Sequence, residues 1–220
     1  MKEIYQTMKV IPLICRNCGL NLEADQNDVL FYCPDCRKGW ELWDNALIER
    51  KVYYASTPES ISPGQRLLYL PYWVFDIKKI DLSMDDTKTR EFFYRKIKGI
   101  SKIYIEAYES FMTHLYGNMA LRYMFESPQY SLLPPQKIVG CTRSSELIRP
   151  YLHLYLLKYL DRFNDVTGLD LRLEHGEPYL VAFPHLTIGN NELLDLIMNV
   201  KMLIRSIMNF PLFERAFLRK

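Results

Sequence analysis

The chain is short of cysteine, histidine and net charge, and each shortage excludes something. Five cysteines and four histidines occur among 220 residues. The histidines, His114, His153, His175 and His185, show no metal-ligand spacing such as His-x-x-x-His. Lys and Arg number 28 against 26 Asp and Glu, a net charge of +2. So close a balance does not mark a binder of polyanions. No uninterrupted apolar stretch approaches the roughly 18–20 residues that span a bilayer. The first residues, Met1 to Gln6, carry no apolar run of the signal-peptide kind. The expected compartment is the reducing cytoplasm, with no transmembrane segment. There is no Gly-rich phosphate loop, no internal repeat and no low-complexity tract.

What is present starts with apolar mass. Hydrophobic residues make up 49%, enough for a substantial core, and the length suits one ordinary domain or a small one plus a medium one. Tyr (16), Phe (11) and Trp (3) are abundant, and such side chains bury large areas in cores and interfaces.

Four of the five cysteines fall into two hooks, Cys15-Arg16-Asn17-Cys18 and Cys33-Pro34-Asp35-Cys36, with 14 residues between them. Each C-x-x-C hook sets two sulfurs on one tight turn, and two turns face to face supply four. Four thiolates suit Zn²⁺, a soft enough ion that accepts a tetrahedral sulfur shell. Four protein ligands leave no position for water, so one zinc per chain held by Cys15, Cys18, Cys33 and Cys36 is structural rather than catalytic. A rubredoxin-like iron is the chemical alternative, and a pair of thiol–disulfide hooks is another. Gly19, directly after Cys18, suits a knuckle turn that needs positive φ.

Around the hooks, Val10 to Ile14 reads as a short strand, with Pro12 keeping it at an edge. Val29 to Tyr32 is a second strand. Gly39 to Trp43 alternates as a third, with Glu41 facing away from Trp40 and Leu42. Pro34 suits the first central position of the second turn. Strand, knuckle, strand, knuckle, strand over about residues 10–48 resembles the zinc-ribbon family, carried by Cys15, Cys18, Gly19, Cys33, Pro34 and Cys36. Arg37 departs from it, standing where ribbons often repeat the glycine. The resemblance implies a small three-stranded sheet clamped by zinc and no single function.

Residues 51–66, rich in Ser, Pro and Thr with Gly64, read as a linker between a ribbon (1–50) and a larger domain (67–220). Leu67 to Ile77 predicts strands on either side of Pro71. Its Pro71-Tyr72-Trp73-Val74-Phe75 run is similar to one that follows the ribbon in some bacterial ribbon proteins, and implies no function. Phe92–Tyr94 and Lys102–Tyr108 are strands or helices. Phe111 to Phe125 predicts a helix ending before Pro128, 131–136 a loop and 137–141 a short strand. Ser144 or Ser145 caps a helix over about Glu146–Phe163, with Pro150 in its first turns. Leu169–Leu173 and Tyr179–Phe183 read as strands, and Asn190 or Asn191 as the cap of a helix over Glu192–Met208. The fold class expected is α+β: a three-stranded zinc ribbon and then a mixed α+β domain with at least two long helices.

Cys141, Thr142, Arg143, Ser144 and Ser145 form a strand-to-helix junction. It reads either as a buried cysteine beside an ordinary cap, or as an anion site with Arg143 and a nucleophilic thiol. Arg90, Arg95, Lys96, Lys98 and Lys102 interleave with Phe92, Phe93 and Tyr94, which suits a solvated face or a nucleic-acid track. The expected role is structural or protein-binding and non-enzymatic, with a protein partner or a second copy of the chain. A nucleic-acid-associated ribbon protein is the alternative. An enzyme using Cys141, Arg143 or a histidine is the second alternative.

Overall fold

The computed structural model describes residues 10–22, 27–33, 35–56, 66–109, 113–132, 138, 140–188 and 192–203. Near the N-terminus, β1 (Leu30–Cys33), β2 (Lys38–Trp43) and β3 (Ala46–Arg50) form a three-stranded antiparallel sheet in the order β1-β2-β3. Two of the three strands were expected. The third follows them: Asp44 and Asn45 both take positive φ (45° and 59°), giving the primed two-residue turn that matches strand twist. The strand expected at residues 10–14 is only an isolated bridge, Ile14 to Asn21. Its backbone turns too tightly for a ladder, because the Ile14 N–H donates to the Pro12 carbonyl at 3.0 Å.

The larger sheet begins one residue after β3. From the stretch read as a linker, Val52–Ala55 forms β4, which pairs in parallel with β9 (Tyr179–Ile188). Residues 57–65 of that stretch lie outside the described residues. β5 runs unbroken for 17 residues, Leu67–Ser83. It pairs antiparallel with β6 (Lys102–Glu106) on one edge and with β9 on the other, and beyond residue 76 with β8 (Asp170–His175). β7 (Tyr130–Ser131) extends β4, and the hairpin of β10 (Glu192–Asp195) and β11 (Val200–Leu203) extends β9.

Pro71 does not split β5, and the register shows why. A proline breaks a ladder where its missing N–H was needed. The Pro71 carbonyl accepts from Ala107 N–H (3.0 Å), one residue past the end of β6, so the absent N–H points where the neighbouring ladder has stopped. Pro184 in β9 repeats the device: its carbonyl accepts from Leu196 N–H (3.1 Å), one residue past β10.

The sheet curls. In the order β6-β5-β9-β4-β7, four steps of about 4.8 Å would part the outer strands by about 19 Å if flat. Instead Lys102 Nζ on β6 donates to the Tyr130 hydroxyl on β7 at 2.5 Å. Helices α1 (Thr87–Ile97) and α2 (Thr113–Glu126) lie in the β5–β6 and β6–β7 connections. Phe92–Tyr94 is thus helical and Lys102–Glu106 strand. α2 ends at Ser127, which takes φ +45° before Pro128. Phe111, at the start of the predicted helix, lies outside the described residues, as do Pro34, most of 131–137, and 204–220. Ile138 forms a single parallel bridge to Tyr69, where a short strand was expected. The core is aromatic: Tyr123 stacks on Phe183 at 4.0 Å, and Tyr72 meets both edge-on at 5.2 Å. Such pairs add about 0.5–1.5 kcal/mol beyond their buried area.

Of the three helices expected, the one over 111–125 is α2 from residue 113 on, and the one over 146–163 is present in pieces. α3 (Ser145–Ile148), a 3₁₀ turn (Arg149–Tyr151) and α4 (Leu152–Leu160) follow one another, with Pro150 in the 3₁₀ turn where its missing N–H costs little. The third, over 192–208, is corrected: residues 192–203 form the β10–β11 hairpin. Asp195 accepts from the N–H groups of Ile197 and Met198, a local bond that competes with helix, and Asn199 takes φ +53°. Asn190, Asn191 and residues 204–208 lie outside the described residues.

Candidate metal centre

Both hooks are tight turns closed by backbone bonds. In the first, Gly19 N–H donates to the Cys15 carbonyl and Cys15 N–H to the Leu20 carbonyl, both at 2.8 Å, with Gly19 at φ +79°. In the second, β1 ends at Cys33 and β2 begins at Lys38, which are register partners, and Arg37 N–H donates to the Cys33 carbonyl at 2.9 Å. Arg37 takes φ +55°, so the second knuckle makes the glycine-type turn without the glycine. A small core of Leu22, Phe31, Trp40 and Leu47 backs the hooks.

These turns bring four sulfurs together. Cys15 and Cys36 Sγ lie 3.2 Å apart, Cys18 and Cys33 3.5 Å, and Cys36 and Cys18 3.8 Å, with all four within 4.8 Å of one another. Metal–sulfur bonds of about 2.3 Å in a tetrahedron give edges of about 3.8 Å, so the spacing fits one ion. Among the described residues this is the only group of three or more Cys, His, Asp or Glu side chains close enough to share an ion. Cys15 and Cys33 are buried and Cys18 is exposed, so the cluster opens to solvent on one side.

The thiols do not ionise alike. Burial opposes ionisation of Cys15, but the N–H groups of Cys18 and Asn17 and the neighbouring thiols outweigh it and lower its pKa to about 6. Burial and then the same thiols push Cys36 up to about 12. One thiolate thus suppresses the next, and a cation among them is what lets all four ionise.

No protein-family model, no curated protein and no solved structure matches the chain. The site is therefore read from its own geometry.

Three residues beyond Lys38, Glu41 does what sequence alternation did not suggest. Opposite Trp40 and Leu42 it faces not water but the larger sheet's helical layer, and it is fully buried. Its carboxylate accepts from Ser144 Oγ (2.8 Å), Ser145 N–H (2.6 Å), Ser145 Oγ (2.7 Å) and Arg50 Nε (2.7 Å). Arg50, itself 5% exposed, also pairs with Glu146 at 2.7 Å and Glu177 at 3.5 Å. Cys141 is the buried neighbour of a cap, and the place of an anion in the alternative reading is taken by the protein's own Glu41 with Arg50. The Arg143 side chain instead reaches Tyr155 and lies near Glu106, while its carbonyl accepts from Trp73 Nε1 at 2.6 Å.

The remaining candidates do not converge. Cys141 is buried, and burial, then Asp28 and Glu41, push its thiol well above its ordinary range, the opposite of an activated nucleophile. His185 is buried beside Asp195, Nε2 to Oδ2 3.4 Å, while its Nδ1 donates to the Phe183 carbonyl at 2.9 Å. The Tyr123 hydroxyl donates to the same Asp195 carboxylate. Burial works against that charge, but His185, Tyr123 and Met198 N–H hold Asp195 below the usual carboxylate range. This polar cluster, absent from the sequence reading, braces α2 against β9 and β10. His175 Nδ1 meets the Gly176 carbonyl at 2.8 Å; the side chain of His114 lies outside those described. Of the basic-aromatic stretch, Phe93 is core, and Lys96 lies over the Phe92 and Phe163 rings at 5.3 and 4.3 Å. Arg90, Tyr94 and Arg95 line a shallow groove with Asp81 and Glu91. A second concavity of about 660 Å³ is lined by Tyr53, Tyr130, Tyr179, three cations and three carboxylates. The Tyr130 and Tyr179 hydroxyls are satisfied internally, Lys102 to Tyr130 to Tyr179 to Asp76.

Proposed function

We propose that Cys15, Cys18, Cys33 and Cys36 hold one zinc ion as the clamp of a zinc ribbon, and that the protein works as a structural or protein-binding element rather than as an enzyme. The observation that carries the reading is the meeting of four sulfurs at 3.2–3.8 Å contacts from two separate hooks. Four thiolates complete a tetrahedral shell, which suits a metal that stabilises rather than reacts. Bound zinc in such sites contributes about 10–16 kcal/mol, more than a small three-stranded sheet gains from its own core. The chain's part is to hold the sulfurs: Gly19 and Arg37 turn the knuckles, and Trp40 and Leu47 pack behind them.

The non-enzymatic part is supported by the burial of Cys141 and the internal occupation of the α3 N-terminus. The binding part is supported by three exposed apolar side chains along this helical segment, Leu147 on α3, Tyr151 in the 3₁₀ turn and Leu154 on α4. Metal analysis of purified native protein tests the clamp. One zinc per chain, lost in Cys33→Ser, is expected; no zinc in native protein, or full zinc in Cys33→Ser, overturns it.

A further inference from the structure

The thiol cluster and the α3 N-terminus are two ends of one hairpin. In the β1–β2 register Cys33 pairs with Lys38 at one end and Leu30 with Glu41 at the other. The thiols therefore tie down the same ladder whose far end carries Glu41 into Ser144 and Ser145. The three-stranded sheet, in which Glu41 also pairs with Ile48 of β3, gains less from its own small core than a bound metal contributes. Its register near Glu41 depends on what fixes each end.

Cys141 sits beneath that far end. Its carbonyl accepts from Val29 N–H at 2.8 Å, immediately before β1. On its other side, Thr142 and Arg143 N–H both donate to the Ala107 carbonyl at 2.9 Å, beyond β6. Residues 141–145 are thus held between the end of β6 and the ribbon hairpin, and the ribbon side consists of Val29 and Glu41. It is the one cysteine outside the hooks, and it is 3% exposed.

We propose that the junction reads the metal: with the four-cysteine site filled, Glu41 seals the 141–145 turn, and loss of the ion releases Glu41 and uncovers Cys141 while the large sheet stays folded. This rests on the zinc reading above. The two ends of the device are one strand apart, so the coupling needs no long path. The large sheet's aromatic core of Tyr72, Tyr123 and Phe183 contains none of the hook cysteines, and Cys141 and Leu30 lie in the same apolar cluster.

The test uses the full chain with zinc and the chain after chelation, each pulsed with N-ethylmaleimide. Digestion and mass mapping read Cys141 apart from the hook cysteines, while amide exchange at Val181 and Phe183 follows the large sheet. Cys141 is expected to label at least about tenfold faster without zinc, with β9 amides still protected, as local opening requires. In Glu41→Gln, Cys141 is expected to label fast with zinc still bound. Zinc removed with Cys141 labelling unchanged overturns the device, as does slow labelling in Glu41→Gln. Loss of β9 protection on chelation overturns it too, since the opening is then global. A chain that takes up no zinc fails the clamp reading itself, a result distinct from uptake without coupling.

Discussion

Glu41→Gln changes one oxygen to an amide nitrogen at the most heavily bonded side chain of the junction. Glu41 accepts four hydrogen bonds of 2.6–2.8 Å from three residues, and every donor competes for an anion. A glutamine there keeps one acceptor and turns an –NH₂ group toward Arg50 or Ser145, donor against donor. Arg50, 5% exposed, is left with Glu146 and the largely exposed Glu177. Arg50 keeps Glu146 at 2.7 Å, so the cost is that of the buried donor left facing the amide, about 1–3 kcal/mol. Against the total of about 5–15 kcal/mol typical of a domain, the loss is large. Urea unfolding with zinc present, read by far-UV circular dichroism, should show the midpoint falling with little change in slope. The double variant Glu41→Met/Arg50→Met should not regain the loss, since the buried Ser144 and Ser145 donors then have no acceptor at all. A Glu41→Gln cost below about 1 kcal/mol, the level of an exposed pair, would refute the claim that this contact is buried and holds the junction.

Gly39→Ala should cost about 1–3 kcal/mol by overpacking, since a Cβ there would lie 2.6 Å from Val52 Cγ2 and 3.1 Å from the Arg50 carbonyl; thermal unfolding at neutral pH reads it, and a neutral result contradicts the packing of β2 on the start of β4. Burial raises the Glu106 carboxyl to about 7, against partial relief from its own N–H, Arg143 and Lys158. A raised folded value means the group favours the fold at acid pH, and that contribution is lost as pH rises from about 4.5 to about 7, worth up to about 3 kcal/mol. Glu106→Gln should therefore stabilise the protein at pH 8 and do little at pH 4, in paired thermal melts; equal effects at both would contradict the buried carboxyl. Cys18 and Cys36 are both raised above the ordinary thiol value, so zinc uptake at pH 7 should release at least two protons and weaken as pH falls. Calorimetry in buffers of different ionisation enthalpy measures that number, and a heat independent of buffer would contradict it.

The spacing of the cysteines, Gly19, and the cap at Ser144 were legible because each is a local matter of turn geometry. The helical segment after Ser145 was legible for the same reason, and Pro150 fell in its first turns. Glu41 was not, because alternation along β2 shows that its faces differ but not that both are covered. The hairpin at 192–203 was hidden by apolar spacing that fits a helix as well as a strand. What decided it was an open edge on β9 and the Asp195 turn, neither visible from periodicity. Pro71 misled in the same way: whether a proline breaks a strand depends on where the next strand ends. Arg37 showed the reverse, a non-glycine residue meeting a glycine-type φ because hook and ladder leave the turn no alternative.

The most direct measurement for the four-thiol clamp is titration of the metal-free chain with cobalt(II), followed by its visible absorption. Intense ligand-field bands of a tetrahedral thiolate complex, saturating at one equivalent and bleached by one equivalent of zinc, are the expected result. Weak octahedral bands, or a spectrum and affinity unchanged in Cys15→Ser, would contradict a single ion shared by Cys15, Cys18, Cys33 and Cys36.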